Sequence, residues 1–202
     1  NSSIVIDTIE FRPPTEYKTY EEYRAQYPEM KDLNVEPIII EAEVMTQKNE
    51  VSIQMEADQD AFMSPKANGR RIFNFTGGNR WAKGGETIVW EFDVPESGWY
   101  KIGYRALNNL HSNKSSFRTI KINGEVPFED LVEYGTPFSS SWQGYVLSDE
   151  NDEPYAIYLE EGKNTLEMVV NFAPLKSVQV LLETVTQELG MVSRDLQVLT
   201  RG

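Results

Sequence analysis

An all-β sandwich or barrel is the fold class this chain predicts. From residue 37 onward, short runs of alternating apolar and polar residues recur, with turn residues between them. Asn123-Gly124 and Glu161-Gly162-Lys163-Asn164 are strong turn signals between such runs. Many short strands at that spacing form two packed sheets or one rolled sheet.

In chain order, residues 4–11 (IVIDTIEF) alternate loosely and predict a strand, which Pro13 and Pro14 end. Thr19-Tyr20-Glu21-Glu22 fits a capping box, with Thr19 at the cap and Glu22 reaching back. A short helix over 20–27 places Tyr20, Tyr23 and Tyr27 on one face, and Pro28 closes it. Strands are then expected near 38–46, 51–56, 70–75, 86–94, 99–107, 117–123, 142–148, 154–159, 165–171 and 176–184. The strongest hairpin candidate is ETIVWEFDV–PESG–WYKIGYRAL. Ile88, Trp90, Phe92 and Val94 share one face of its first arm, and Tyr100, Ile102, Tyr104 and Ala106 one face of its second. Glu91, Asp93, Lys101 and Arg105 face out. In the tail, Val185, Leu189, Val192, Leu196 and Leu199 fall four, three, four and three apart, an amphipathic helix weakened by Gly190. The expected division is an N-terminal, linker-like segment over 1–36, a β-sandwich over 37–184, and a C-terminal helix over 185–202 that leads to a neighbouring domain.

Charge and composition exclude several function classes. A net charge of −13 repels phosphate backbones and anionic lipid heads, so nucleic acid and the membrane surface are not expected partners. No apolar run is long enough to predict membrane insertion. Cysteine is absent, which removes disulfides, thiolate metal sites and cysteine nucleophiles. His111 is the only histidine, so one chain cannot build a multi-histidine metal site. The chain opens at NSSIVID without a methionine and reads as a piece of something longer. Its ten tyrosines, nine phenylalanines and four tryptophans exceed what a core of this size clearly needs, so some are expected at a binding surface.

An ordered set of motifs runs through residues 38–172. Ile40-Glu41-Ala42-Glu43 comes first, and Trp81-Ala82-Lys83-Gly84-Gly85 precedes the strand Ile88–Val94. Gly98-Trp99-Tyr100 and Tyr104-Arg105-Ala106-Leu107-Asn108-Asn109 follow, then Ile122-Asn123-Gly124, Trp142, Leu159–Leu166 and Asn171. In this order the set resembles carbohydrate-binding modules of families six and thirty-five. The resemblance implies a galactose-binding-like, jelly-roll β-sandwich that binds sugar without catalysis. It implies a ligand site made by Trp142, Asn171 and Asn108, or Asn109 with a one-residue shift; Trp81, in the loop Gly77-Gly78-Asn79-Arg80-Trp81, is a further ligand candidate. The resemblance also implies a structural calcium at Glu41 and Glu43. The family pattern adds an aspartate from the final strand, and KSVQVLLE has none. Residues 4–11 resemble the Asp-bearing last strand of such a module. The terminal segments resemble connecting regions of large extracellular solute-binding lipoproteins of Gram-positive bacteria. An extracellular or cell-surface bacterial location follows from both likenesses.

The residue types suit the chemistry. A pyranose has an apolar C–H face and a hydroxyl rim; a flat indole covers the face, and an amide both donates to and accepts from the rim. Covering ~100 Å² of apolar surface contributes roughly 2.5 kcal/mol. Each net hydrogen bond adds about 1 kcal/mol. After ordering costs, millimolar to micromolar affinity is expected.

Each residue also has a plainer role. Trp90 and Tyr100 alternate with core residues and read as packing. Trp99 faces outward, either under a loop or at the surface. Trp142, after Ser139-Ser140-Ser141, suits a ligand platform or a plug at the loop base. Trp81 divides the same way. Asn108 and Asn109 at a strand end, like Asn171, suit local backbone capping. Arg80 and Lys83 suit an acidic sugar or a solvated loop. Three functions follow: a non-catalytic carbohydrate-binding module within a larger polypeptide, a structural or interaction sandwich whose loops bind no sugar, and a glycoside-active enzyme. The first is the leading expectation, because no carboxylate pair stands out in a pocket-forming stretch.

Overall fold

A computed structural model of the chain describes residues 11, 13, 15–29, 31, 33–110, 112–173, 181–182 and 184–191. The expected strand over 4–11 lies outside these residues except for Phe11, which is exposed and in no strand. His111, Val192, Leu196 and Leu199 lie outside them as well.

Helix α1, Tyr20–Arg24, begins with the expected capping box. The Glu22 N–H donates to Thr19 Oγ1 at 3.2 Å, and the Thr19 N–H donates to Glu22 Oε2 at 2.9 Å. Eleven short strands follow among the described residues: β1 Gln47–Lys48, β2 Met55–Glu56, β3 Phe75–Thr76, β4 Thr87–Val94, β5 Gly98–Tyr100, β6 Gly103–Ala106, β7 Ser116–Ile122, β8 Tyr134–Thr136, β9 Gln143–Val146, β10 Ile157–Leu159 and β11 Gly162–Asn171. One layer is a five-stranded antiparallel sheet in the order β1-β4-β11-β7-β8. The second layer is strand 98–106, broken at Lys101-Ile102. Its first half, β5, pairs with β10 and its second half, β6, pairs with β9. β2 and β3 form a separate small ribbon. The chain alternates between layers as a jelly roll does: β4 to β5 and β6, across to β7 and β8, back to β9 and β10, and across again to β11.

The core lies between the layers. Ile120, Ile122 and Val94 of the large sheet meet Leu147, Ile157 and Leu159 of the second layer, with Phe128 and Leu131 between them. Ile53, Ile88 and Trp90 form a second buried group, joined to the first through Leu166 and Met168. The inward parity read from the sequence holds on both arms of the expected hairpin. Ile88, Trp90 and Val94 are buried, while Glu91, Asp93, Lys101 and Arg105 are exposed.

The hairpin itself does not form. β4 pairs with β1 and β11, whereas β5 pairs with β10, so PESG carries the chain between layers. Two arms with facing apolar sides look alike in sequence whether they pair edge to edge or oppose each other across a core. Two further expectations are corrected. Residues 38–46 form no strand. Val44 donates to Glu41 O at 2.9 Å in a turn, and the Trp90 indole holds that turn by donating to Ala42 O at 3.0 Å. Residues 181, 182 and 184, placed in the last expected strand, are helical, as are 185–191.

Candidate functional site

The strands define two ends. β4 starts, β6 ends, β7 starts and β11 ends at the same one, which gathers the loops 77–86, 106–116 and 136–143. Trp81, Asn108 and Trp142 all lie there.

Trp142 precedes β9 and is half-buried. Its indole N–H donates to Asp58 Oδ2 at 2.8 Å, and its ring meets Phe75 edge-on at 5.5 Å. Asp58 is a hub. Its Oδ1 accepts from the Asp60 N–H at 3.1 Å, and the buried Asn74 holds its backbone N–H and carbonyl at 2.9 and 3.0 Å. The Trp142 hydrogen bond, with help from backbone N–H groups, holds the Asp58 carboxyl below the usual carboxylate range. Phe62 and Phe73, on the same 57–75 stretch, are exposed, and Arg105 of β6 donates to the Phe62 carbonyl.

Asn108 is engaged internally. Its Nδ2 donates to the carbonyls of Lys114 and Thr136, both at 3.0 Å, and its Oδ1 accepts from Ser116 Oγ at 2.9 Å. Both amide protons are used, so Asn108 clamps the loop between β6 and β7 to β8 and has no proton left for a ligand. Its neighbour Asn109 is exposed, and its side chain has no hydrogen-bond partner among the described residues.

Asn171 is not part of this group. Its Nδ2 donates to Thr119 Oγ1 at 3.0 Å and to Val132 O at 2.9 Å, and its Oδ1 accepts from Ala173 N–H at 2.8 Å. On β7, Arg118, Ile120 and Ile122 face the core, so Thr119 faces out and Ser116 in. Asn171 and Asn108 therefore bond to opposite faces of one sheet, and the expected meeting of Trp142, Asn108 and Asn171 at one cleft does not occur.

Trp81 sits deeper. Its indole N–H donates to Glu86 O at 3.1 Å, and its ring meets Trp90 edge-on at 6.3 Å. The Arg118 guanidinium lies over its ring, 4.3 Å from the centroid, and donates to Trp81 O at 3.1 Å and Phe117 O at 2.8 Å. Arg118 Nε is buried without a partner, and burial pulls this guanidinium down to about 10. Glu86 is also buried. Its Oε2 accepts from the Ala82 and Lys83 N–H groups at 2.8 and 3.0 Å and its Oε1 from Ser52 Oγ at 2.9 Å. The Lys83 N–H contributes most to holding it below the usual range, and the Ser52 and Ala82 bonds add to that.

The calcium pair shows one favourable feature. Glu41 Oε1 accepts from Ser64 Oγ at 2.8 Å, while Glu43 Oε2 is buried without a partner. Burial, and then the charge of Glu41, push the Glu43 carboxyl up. Among the described residues no three His, Cys, Asp or Glu side chains are grouped to hold a metal ion.

Asp58, Glu86 and Arg118 were not singled out by sequence reading, although each left a signal. Glu86 shares parity with Ile88 and Trp90, and Arg118 with Ile120 and Ile122, so both put a charge on an apolar face. In Asp58-Gln59-Asp60-Ala61-Phe62 each aspartate accepts from the N–H two residues on, an Asx-turn pattern.

No family model matches the chain, and no curated protein does. Among solved structures it is similar to the cycloisomaltooligosaccharide glucanotransferase of a Paenibacillus species, complexed with cycloisomaltoheptaose. That match has 19% identity over 65% of this chain and 16% of that one, with a TM-score of 0.46. The Podospora anserina GH26-CBM35 β-(1,4)-mannanase matches at 14% identity over 66% of this chain and 24% of its own, with a TM-score of 0.44. A family 35 carbohydrate binding module from Clostridium thermocellum matches at 16% identity over 59% of this chain and 77% of its own, with a TM-score of 0.43. The chain thus spans about a sixth and a quarter of the two enzymes it resembles.

Proposed function

We propose that this chain is a non-catalytic carbohydrate-binding module of an extracellular or cell-surface protein, with its sugar platform at Trp142. The observation that carries this reading is the placement of that indole. It stands half-buried at the loop end, its N–H already bonded to Asp58. A ring held in this way offers stacking area and needs no ligand acceptor. Asn109 supplies the free amide on the adjoining loop, in place of Asn108. That loop runs beside the Trp142 loop, since Ala106 pairs with Gln143 and the Ser139 N–H donates to Asn108 O at 3.0 Å. A glycan array at high module density tests this reading. Binding that Trp142→Ala abolishes, in a variant that still folds, is the expected result. A folded chain that binds no polysaccharide refutes it.

Calcium at Glu41 and Glu43 belongs to the same proposal and rests on the unpartnered Glu43 oxygen. That pair supplies part of the six to eight oxygens a calcium ion takes, with backbone carbonyls and water for the rest. Adding calcium after chelation should raise the Tm of the wild type and leave Glu43→Gln unmoved. An unchanged wild-type Tm removes the metal from the proposal.

A specific observation favours a second reading, an interaction domain without sugar binding. Asn108 and Asn171 serve as internal struts, and Arg118 covers Trp81. The same array decides between the two.

A further inference from the structure

The opposite end of the sandwich is closed by a segment that the sequence placed in a linker. Among the described residues β10 pairs with one strand, β5, along one edge only. On its other edge the Ala156 N–H donates to Tyr20 Oη at 2.8 Å and the Tyr158 N–H to Tyr23 Oη at 3.0 Å. Residues two apart on a strand present their amides to the same side, so two side-chain hydroxyls of α1 take the places a neighbouring strand's carbonyls would fill. The rings fill the space around these bonds. Tyr20 lies 4.9 Å from Phe128 and 4.8 Å from Tyr155, and Tyr27 stacks on Tyr158 at 4.5 Å. The Trp99 indole donates to Pro28 O at 2.8 Å, and the Glu129 N–H to Lys18 O at 2.8 Å. A Cβ on Gly98 would come within 2.8 Å of Leu33, so this strand closely abuts the same segment.

The covered strand is the kind that adds to another. Tyr155-Ala156-Ile157-Tyr158-Leu159 carries no charge and is rich in aromatic and branched residues. Pro154 precedes it and Glu160-Glu161 follow it. An uncovered edge of this composition pairs with another strand, and the same edge of a second copy is self-complementary in the antiparallel sense.

We infer that α1, with Tyr27, Pro28 and Leu33, forms a strap over a latent strand-addition edge on β10, and that loosening the strap lets two copies pair β10 to β10. This does not depend on sugar binding. The test compares the full chain with Tyr20→Phe/Tyr23→Phe by residue-resolved amide hydrogen exchange and sedimentation velocity. In the full chain both the Ala156 and Tyr158 amides should be protected. In the variant both should exchange at least about tenfold faster in dilute solution, as expected when a local hydrogen bond is lost. A dimer should then grow with concentration. Unprotected Ala156 and Tyr158 amides in the full chain overturn the strap. Loss of protection in a variant that stays monomeric at every concentration overturns the strand-addition edge. If the double variant does not fold, Thr19→Ala removes only the helix cap, and it must show both effects in smaller measure for the inference to stand.

Discussion

The two ends of the sandwich use similar side chains for different ends. At the α1 end, Tyr20, Tyr23, Trp99, Phe128, Tyr155 and Tyr158 pack against one another, and the Tyr20 and Tyr23 hydroxyls and the Trp99 indole N–H bond to backbone. At the loop end, aromatic rings meet in pairs beside charges: Trp81 with Trp90 under Arg118, and Trp142 with Phe75 on Asp58. Part of the aromatic surplus in the composition therefore goes to closing one end. An aromatic count measures buried area before it measures binding, and only ring placement separates the two.

The largest effect should come from the closed end. Phe128 is fully buried and touches Tyr20, Tyr23 and Tyr155 at centroid distances of 4.9, 5.4 and 4.8 Å. Phe128→Ala should cost about 3–5 kcal/mol in denaturant unfolding, through lost burial and the cavity left behind. A cost near that of a surface substitution would show that the closed end is not a cooperative part of the core.

Next in size is Asn108→Ala at the open end, at about 2–3 kcal/mol. It strips partners from two carbonyls and a hydroxyl in a half-buried site. If sugar binding fell and stability did not, Asn108 would be a ligand group after all, and the division between struts and free amides would be wrong.

Two acids sharpen the contrast through pH, Glu86 at the open end and Glu43 in the turn that Trp90 holds. Glu86 is held below the ordinary glutamate value of 4.5, so its stability contribution is present above 4.5 and is lost as pH falls through the lower folded value. Glu43 is held above 4.5, so its contribution is full below 4.5 and is lost as pH rises through the higher folded value. In calcium-free buffer, Glu86→Gln should lower the neutral-pH Tm and flatten the acid limb. Glu43→Gln should raise the neutral-pH Tm by a smaller amount. Parallel Tm–pH curves for both variants and the wild type would contradict these environments.

The sequence showed the strand parity of β4 and of β5–β6, the capping box of α1, and the Asn123-Gly124 turn, where both residues have positive φ. Each rests on a local rule: a two-residue period, a three-residue cap, or a backbone conformation that few residues adopt. Partnership was not readable. The β4–β5 connection looked like a hairpin because period-two faces carry no record of which strand lies alongside. β8, reading Tyr134-Gly135-Thr136, was missed because it is three residues long and gains its place from pairing with β7. Asn108, Asn109 and Asn171 are identical as residue types. Their roles depend on the distance to carbonyls far along the chain, which a single sequence does not encode locally.

The smallest expected effect on stability is at Asn109, and it tests most directly whether the two ends differ in purpose. An exposed amide without protein partners contributes almost nothing to folding, so Asn109→Ala should stay within about 0.5 kcal/mol of the wild type. If the open end receives a sugar, the same change should still weaken binding about five- to tenfold, since one hydrogen bond to a ligand is worth about 1 kcal/mol net. Calorimetric titration with the best glycan from the array, run beside a thermal melt, measures both quantities on one sample. Unchanged affinity would leave Trp142 without a polar companion on that loop. Stacking alone covers any sugar's apolar face, so the open end would then lack the directional bond that selects one ring over another.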